Sequence, residues 1–265
     1  MRKPLQFDTV LALSVLFLVI FGLVMITSIG VPKSISLSAP GVEFPSCSDE
    51  AVDCYLLFKK HLFRLMVGIA AFFVAYKIPI KVWKKMAPFL FGATFLLLGF
   101  VMVAGQSYGT IASSWLRVFN TSLQPSEFAK LTLILYLAAW FAKHKTRIDD
   151  FRDGFIPFTV ISGMIILPII LQNDYGSTMV IGLISIAMFF VAGARIKHLA
   201  IGLFVAMLGA IIVVSTVPHV RERFQGFVNI NEDCIEDYCW QSRQANIAVG
   251  SGGFWGKGLT QGIQK

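Results

Sequence analysis

Residues 109–130, GTIASSWLRVFNTSLQPSEFAK, bring a tryptophan, amides, hydroxyls and a Glu–Lys pair to the mouth of an otherwise apolar run. Pro125 suits the first position of a helix, where its missing N–H costs nothing. Glu127 then falls in the first turn, favoured by the positive end of the macrodipole. Lys130 comes three residues later, on the same face, and can pair with it. Such a pair either fixes helix packing from within or forms the charged wall of a cavity near the membrane surface. Ionisable groups at membrane depth are expensive and usually face a protein-lined cavity, which makes the second role the more informative expectation.

A second polar knot, Gln172-Asn173-Asp174-Tyr175-Gly176-Ser177-Thr178, separates two apolar runs by a few residues and therefore reads as a tight turn. Asp174 can cap the following helix by accepting its first N–H groups. It can also present a carboxylate to a cation or a sugar hydroxyl at a cavity mouth, and the two roles are compatible. The glycine-rich stretch 250–258 fails as a phosphate loop. Ser251 stands where the first glycine of that motif is needed, and Gly258 follows Lys257 where Ser or Thr is needed. What remains is a loop whose glycines permit close backbone approach and whose N–H groups can cradle an anion beside Lys257. The four histidines are scattered without paired spacing, so they suggest no metal site.

The elements that must position these groups are membrane helices. Hydrophobic residues make up 56% of the chain and charged ones 14%, a membrane rather than soluble composition. Seven apolar runs are visible, at about 9–31, 62–76, 87–104, 126–142, 154–171, 176–193 and 199–217. A span needs roughly 20 residues. The second run reaches that length only if Leu56–Lys60 extends it, and the fourth only if Glu127 and Lys130 are tolerated. The first run follows Met1-Arg2-Lys3 but is too long for a signal peptide core and has no small-residue cleavage site, so it reads as a retained anchor. The fold class expected is all-α, a polytopic membrane helix bundle, with residues 1–265 as one membrane domain.

Lys and Arg in the short loops set the orientation. With the amino terminus inside, the cytoplasmic segments hold Arg2 and Lys3, then Lys77, Lys81, Lys84 and Lys85, then Lys143, Lys145, Arg147 and Arg152, and finally Arg195 and Lys197. The short outer loops hold only Lys33, Lys59, Lys60 and Arg117. A cytoplasmic amino terminus follows, and with it a polar extracytoplasmic loop over 218–265. The net charge of +8 is explained by these inner loops facing anionic lipid, and no basic stripe interleaved with aromatics points to nucleic acid. All four cysteines fall in outer loops, where disulfides are permitted. Of the three possible pairings the local ones, Cys47–Cys54 and Cys234–Cys239, are expected, with free thiols or a metal site as the alternatives.

In register along the chain, S-W-L at 114–116, L-Q-P-S-E-F-A-K-L at 123–131, Q-N-D-Y-G-S-T at 172–178, M-F-F-V-A-G-A at 188–194, R-E-R-F at 221–224, the pair Gln241 and Gln244, and I-A-V-G-S-G-G-F-W-G-K-G-L at 247–259 resemble the SEDS family of membrane proteins (shape, elongation, division and sporulation). The phrases F-G-L-V-M-I-T-S at 21–28 and F-V-A-G-A-R at 190–195 are more similar to the division member FtsW than to the elongation member RodA. Asn173 replaces a proline of the family, Ser114 stands where many members have Arg, and 231–239 departs from the usual N-P-W region.

The resemblance implies about ten spans, of which seven fall within these residues, so the chain is expected to be C-terminally incomplete and inactive by itself. The family's L-P-E-x-H-T-D-F segment, with its presumed catalytic aspartate, is expected beyond Lys265. The implied activity is a peptidoglycan glycosyltransferase that polymerises lipid II at the outer face of the bacterial cytoplasmic membrane, for division. It implies Glu127, Lys130 and Asp174 as cavity residues supporting that aspartate. Trp115, Gln124, Ser126, Gln241, Gln244, Ser251, Gly252 and Gly253 become substrate contacts, and Arg221, Arg223 and Lys257 diphosphate contacts. It also implies a divalent cation, Mg or Mn, with Asp174 as a possible ligand. Lipid II, a class B penicillin-binding protein and other division proteins are the implied partners. The competing readings are a RodA-like elongation polymerase, a lipid II flippase that would leave no glycan product, and a non-catalytic scaffold for a transpeptidase. A transporter would show inverted repeats or paired broken helices, and neither is apparent.

Overall fold

Apolar residues in the second half of the chain recur at helical steps: Ala129, Leu133, Leu137 and Phe141 in one run, Phe158, Ile161, Ile165 and Ile169 in the next, Ile181 and Phe189 in a third. Residues three and four apart share a helix face, so each run carries one stripe for its neighbours and leaves the rest for lipid. A computed structural model bears this out, describing residues 8–39, 46–49, 52–105, 114–118, 121–228, 240–259 and 261–262. Its helices are α1 (Thr9–Ser38), α2 (Leu56–Lys77), α3 (Ile80–Ala104), α4 (Pro125–Lys143), α5 (Ile156–Leu171), α6 (Tyr175–Val191), α7 (Ile196–Thr216), α8 (Pro218–Val228) and α9 (Trp240–Gly252). Strands β1 (Leu116–Val118) and β2 (Thr121–Leu123) precede α4, and one π-helical turn, Phe151–Phe155, leads into α5.

Seven of these helices coincide with the seven apolar runs, and the chain is a multi-pass membrane protein. Among the described residues four, α1, α3, α7 and α5 with its π turn, are long and apolar enough to span by composition alone. The other three have identifiable reasons for falling short. Lys59, Lys60 and Arg64 interrupt α2, Glu127 and Lys130 open α4, and α6 is only 17 residues long. Two features depart from the sequence expectation. The segment 218–265 is not simply a loop, because Pro218 starts α8 and Gln, Arg and Ala residues carry α9 despite its glycines. The tryptophan-bearing loop contains an antiparallel ribbon with Leu116 opposite Leu123 and Val118 opposite Thr121.

The chain divides into two compact units. In Ile78–Val213, α3 lies against α4 and α5, and α6 against α4 and α5, around Leu98, Leu133, Leu137, Ile165, Ile169, Ile181 and Phe189, all fully enclosed. Lipid is as apolar as these side chains, so association rests on close packing and on polar ties between helices. One such tie is the buried Gln172, whose Nε2 donates to the Leu98 carbonyl at 2.9 Å and joins the end of α5 to α3.

In the unit formed by 1–77 and 214–265, α1 and α2 make a helical hairpin. The buried Ser34 hydroxyl donates to the Gly30 carbonyl and accepts the Leu57 N–H at 3.1 Å. That N–H belongs to the first turn of α2, which has no partner within its own helix. Ser38 accepts the Asp53 N–H at 3.1 Å, and Cys47 and Cys54 form a disulfide across the connection. Asp53 also pairs with Lys59 at 2.8 Å, and this hydrogen bond holds its carboxyl below the usual carboxylate range. Cys234 and Cys239 lie outside the described residues.

Candidate functional site

Two helix N-termini meet at one carboxylate. Gln124 is the N-cap position of α4 and Asp174 that of α6. Asp174 Oδ1 accepts the Ser177 N–H at 3.0 Å, the capping bond expected from the sequence. Its Oδ2 accepts from Gln124 Nε2 at 2.9 Å and from Ser126 Oγ at 3.4 Å, so the same carboxylate joins α6 to the start of α4. The Ser126 and Ser177 hydroxyls are 3.3 Å apart and close the ring. Both helices direct the positive end of their dipoles at this cluster.

Local backbone geometry produces this convergence. Asn173 adopts φ of 58°, a left-handed conformation that turns the chain from α5 into α6. Asn is among the few non-glycine residues that visit this region readily. The Tyr175 hydroxyl donates to Asn173 Oδ1 at 3.1 Å across the same turn. On the α4 side, Pro125 is buried at the first helical position and Ser126 is buried beside it. Trp115 is half-buried at the entry to β1, between the enclosed Ser114 and Leu116.

Lys130 Nζ lies 2.7 Å from Glu127 Oε1. The pair is asymmetric: the Lys130 side chain is 25% exposed and that of Glu127 57%. The carboxylate therefore faces outward from the first turn of α4 while the ammonium is covered by the helix. An ion pair this open contributes little to stability, so packing alone is a weak account of its presence.

Gln124, Ser126 and Asp174 are thus brought together, and Glu127 with Lys130 follows on α4. Sequence reasoning missed Ser177, whose N–H and hydroxyl both join the cluster, and Gln172. The signal was the density of hydrogen-bonding side chains over 172–178 between two apolar runs.

The remaining candidates belong to the other unit. Arg221 is exposed on α8, and Gln244 is half-buried on α9. The side chains of Arg223 and Gln241 lie outside the described residues. Ser251 Oγ donates back to the Ala248 carbonyl near the end of α9, where Gly252 is the last residue. Gly253, Gly256 and Gly258 have φ of 57°, 74° and 96° around the exposed Lys257. An added Cβ would meet nothing within 4 Å at Gly250, Gly252, Gly253 or Gly256. The glycines at 253, 256 and 258 therefore answer to backbone conformation rather than to crowding within the chain.

Among the described residues no three His, Cys, Asp or Glu side chains converge as a metal site. Asp174 with two adjacent hydroxyls is a hard-oxygen donor set. Its two carboxylate oxygens already accept three hydrogen bonds, so a magnesium-like ion there would have to displace the Gln124 and Ser126 donors from Oδ2. Gln124 would then turn its amide oxygen rather than its NH2 toward the ion, an orientation assigned from hydrogen bonding.

Residues 8–265 match the family model for cell cycle proteins of the FtsW, RodA and SpoVE type. The chain is 32% identical over 268 residues to a probable peptidoglycan glycosyltransferase FtsW of Geobacter sp. (strain M18), covering all of this chain and 69% of that protein. It is 33% identical to stage V sporulation protein E of Bacillus subtilis (strain 168), covering 94% of this chain and 67% of that one. Among solved structures, a chain of a peptidoglycan synthase complex described as coordinating polymerisation and crosslinking superposes with a TM-score of 0.58 at 24% identity, over 88% of this chain and 65% of that one. The rod shape determining protein RodA of Thermus thermophilus gives a TM-score of 0.52 at 24% identity, over 71% of this chain and 58% of its own. The chain therefore spans between 58% and 69% of the length of these relatives.

Proposed function

The chain belongs to the FtsW, RodA and SpoVE family of cell cycle proteins, and from that membership we propose that it forms part of a peptidoglycan glycosyltransferase polymerising lipid II for septal wall synthesis. The reaction joins two lipid-linked disaccharides at the outer face of the cytoplasmic membrane. The 4-hydroxyl of the acceptor GlcNAc attacks the anomeric carbon of the donor MurNAc, forming a β-1,4 bond. The anomeric C–O bond to undecaprenyl diphosphate breaks, that bond's electron pair leaves with the diphosphate, and the hydroxyl proton passes to a carboxylate base.

The observation that carries this reading is the Asp174 junction, where two helix N-termini and three hydrogen-bond donors converge on one carboxylate. Glu127 and Lys130, paired at the start of α4, are proposed as the charged cavity wall. These residues position and polarise; none of them is assigned the proton-abstracting role. A divalent cation, Mg or Mn, held at Asp174 would offset charge on the departing diphosphate. Arg221, Arg223 and Lys257 are proposed diphosphate contacts, and Trp115, Gln124, Ser126, Gln241, Gln244, Ser251, Gly252 and Gly253 substrate contacts. The proposed partner is a class B penicillin-binding protein transpeptidase, since a chain of this fold occurs in a synthase complex. The amino terminus is proposed to be cytoplasmic, because the Lys- and Arg-rich loops and the disulfide then fall on the sides that favour each.

The test is polymerisation of fluorescent lipid II by the purified full-length protein, with its transpeptidase and either cation. Glycan ladders that vanish on chelation are expected. Movement of lipid II between leaflets without any ladder would overturn the proposal.

A further inference from the structure

The α1–α2 hairpin carries a second polar feature, separate from the Asp174 site. At its disulfide-bearing end the two helices flank an open cleft of about 390 Å³. Ile26 and Ile29 form an apolar wall, and Lys33, Lys60, His61 and Arg64 supply the polar side. Lys60 and Arg64 are four residues apart and share one face of α2. Lys33, Lys60 and Arg64 have no acidic partner among the described residues, whereas Lys59, next in sequence, is paired with Asp53.

Depth makes the unpaired cations informative. From Arg64 to Lys77 α2 rises roughly 20 Å at about 1.5 Å per residue, short of a hydrocarbon core of about 30 Å. With Lys77 at one interface, Arg64 starts inside the opposite leaflet and its side chain must extend toward the headgroups. Lys33, just past the apolar part of α1, and Lys60 lie nearer the headgroups, so three cations line one cleft at that level without an acidic partner among the described residues.

We infer that this cleft binds the phosphate headgroup of an anionic glycerophospholipid. Its phosphate oxygens meet Lys33, Lys60 and Arg64, and its acyl chain lies along Ile26 and Ile29. Guanidinium and ammonium groups make charge-assisted hydrogen bonds to phosphate oxygens. A lipid already in the bilayer supplies both the anion and the apolar chain without crossing a barrier. The cleft's volume, at the low end of ordinary ligand pockets, has room for a small headgroup and the first methylenes of its acyl chain. The inference does not depend on the glycosyltransferase reading.

The experiment places the full-length protein in nanodiscs of phosphatidylcholine with and without phosphatidylglycerol, and counts retained lipids by native mass spectrometry. The wild type is expected to retain phosphatidylglycerol selectively. Lys60→Gln with Arg64→Gln is expected to weaken that retention roughly tenfold or more, with unchanged melting in phosphatidylcholine alone. Lys33→Gln, which leaves α2 untouched, provides a second reading should the double variant fold poorly. Equal retention of both lipids, or unchanged selectivity in both variants, overturns the inference. Displacement of the lipid by millimolar inorganic phosphate reassigns the cleft to a free anion and overturns it too. So does selective retention of a polyprenyl diphosphate alone.

Discussion

At the scale of single residues, the cluster around Asp174 separates structural from chemical roles by substitution. Asn caps a helix about as well as Asp, so Asp174→Asn keeps the Ser177 bond and removes the charge. It is expected to fold with a melting temperature close to wild type and to lose most polymerisation. Asp174→Ala removes the cap as well and is expected to cost a further 1–2 kcal/mol or so; melting curves beside ladder gels distinguish the two. Equal activity of Asp174→Asn and wild type would reduce Asp174 to a cap. Glu127 and Lys130 make the converse case. Because Glu127 is more than half exposed, Glu127→Gln is expected to change stability by less than about 0.5 kcal/mol, while Glu127→Ala and Lys130→Ala abolish growth of a depleted strain at normal protein levels. Complementation by either alanine variant would return the pair to helix packing. The residue types at 124–130 and 172–178 were readable as a site from the sequence, since polar density between apolar runs needs a reason. Their mutual contact was not, because nothing in either segment specifies that Gln124 and Ser126 reach across to Asp174.

At the scale of elements, long apolar runs made α1 to α7 legible, while short elements held by local bonds escaped. α2 shows the difference. Its apolar run looked too short, and what extends it to Leu56 is the hairpin, where Ser34 on α1 accepts the Leu57 N–H. Ser34→Ala removes that acceptor and the buried Ser34–Gly30 bond together. It is expected to destabilise the hairpin by about 1 kcal/mol, read as faster amide exchange over the first turn of α2 with α4 to α6 unaffected. Uniform exchange across both units would place the coupling elsewhere. β1, β2, α8 and α9 went unread for a related reason. Three-residue strands carry too little alternation to be seen, and a polar helix containing Gly250 and Gly252 has the composition of a loop.

At the scale of the whole molecule, membrane character came from composition, and the placement of charge supplies an expected orientation, yet the division into two units left no mark on the sequence. Apolar runs look alike whichever neighbours they pack against, so periodicity reports that a helix is buried or lipid-facing but not in which cluster. Orientation is the property at this scale that charge does encode, and it can be tested against an independent marker. The disulfide Cys47–Cys54 caps one end of the α1–α2 hairpin, while the loop through Lys145 and Arg147 follows α4 and bears the ion pairs Arg147–Asp153 and Arg195–Asp149. If the amino terminus is cytoplasmic, an impermeant maleimide applied to intact spheroplasts should label Cys54 after mild reduction. A cysteine placed at Lys145 should react only after permeabilisation. The opposite pattern would invert the topology and put the Asp174 cluster on the cytoplasmic face. A polymerase acting outside could not use it there, because no lipid-linked disaccharide on the outer leaflet could reach the carboxylate.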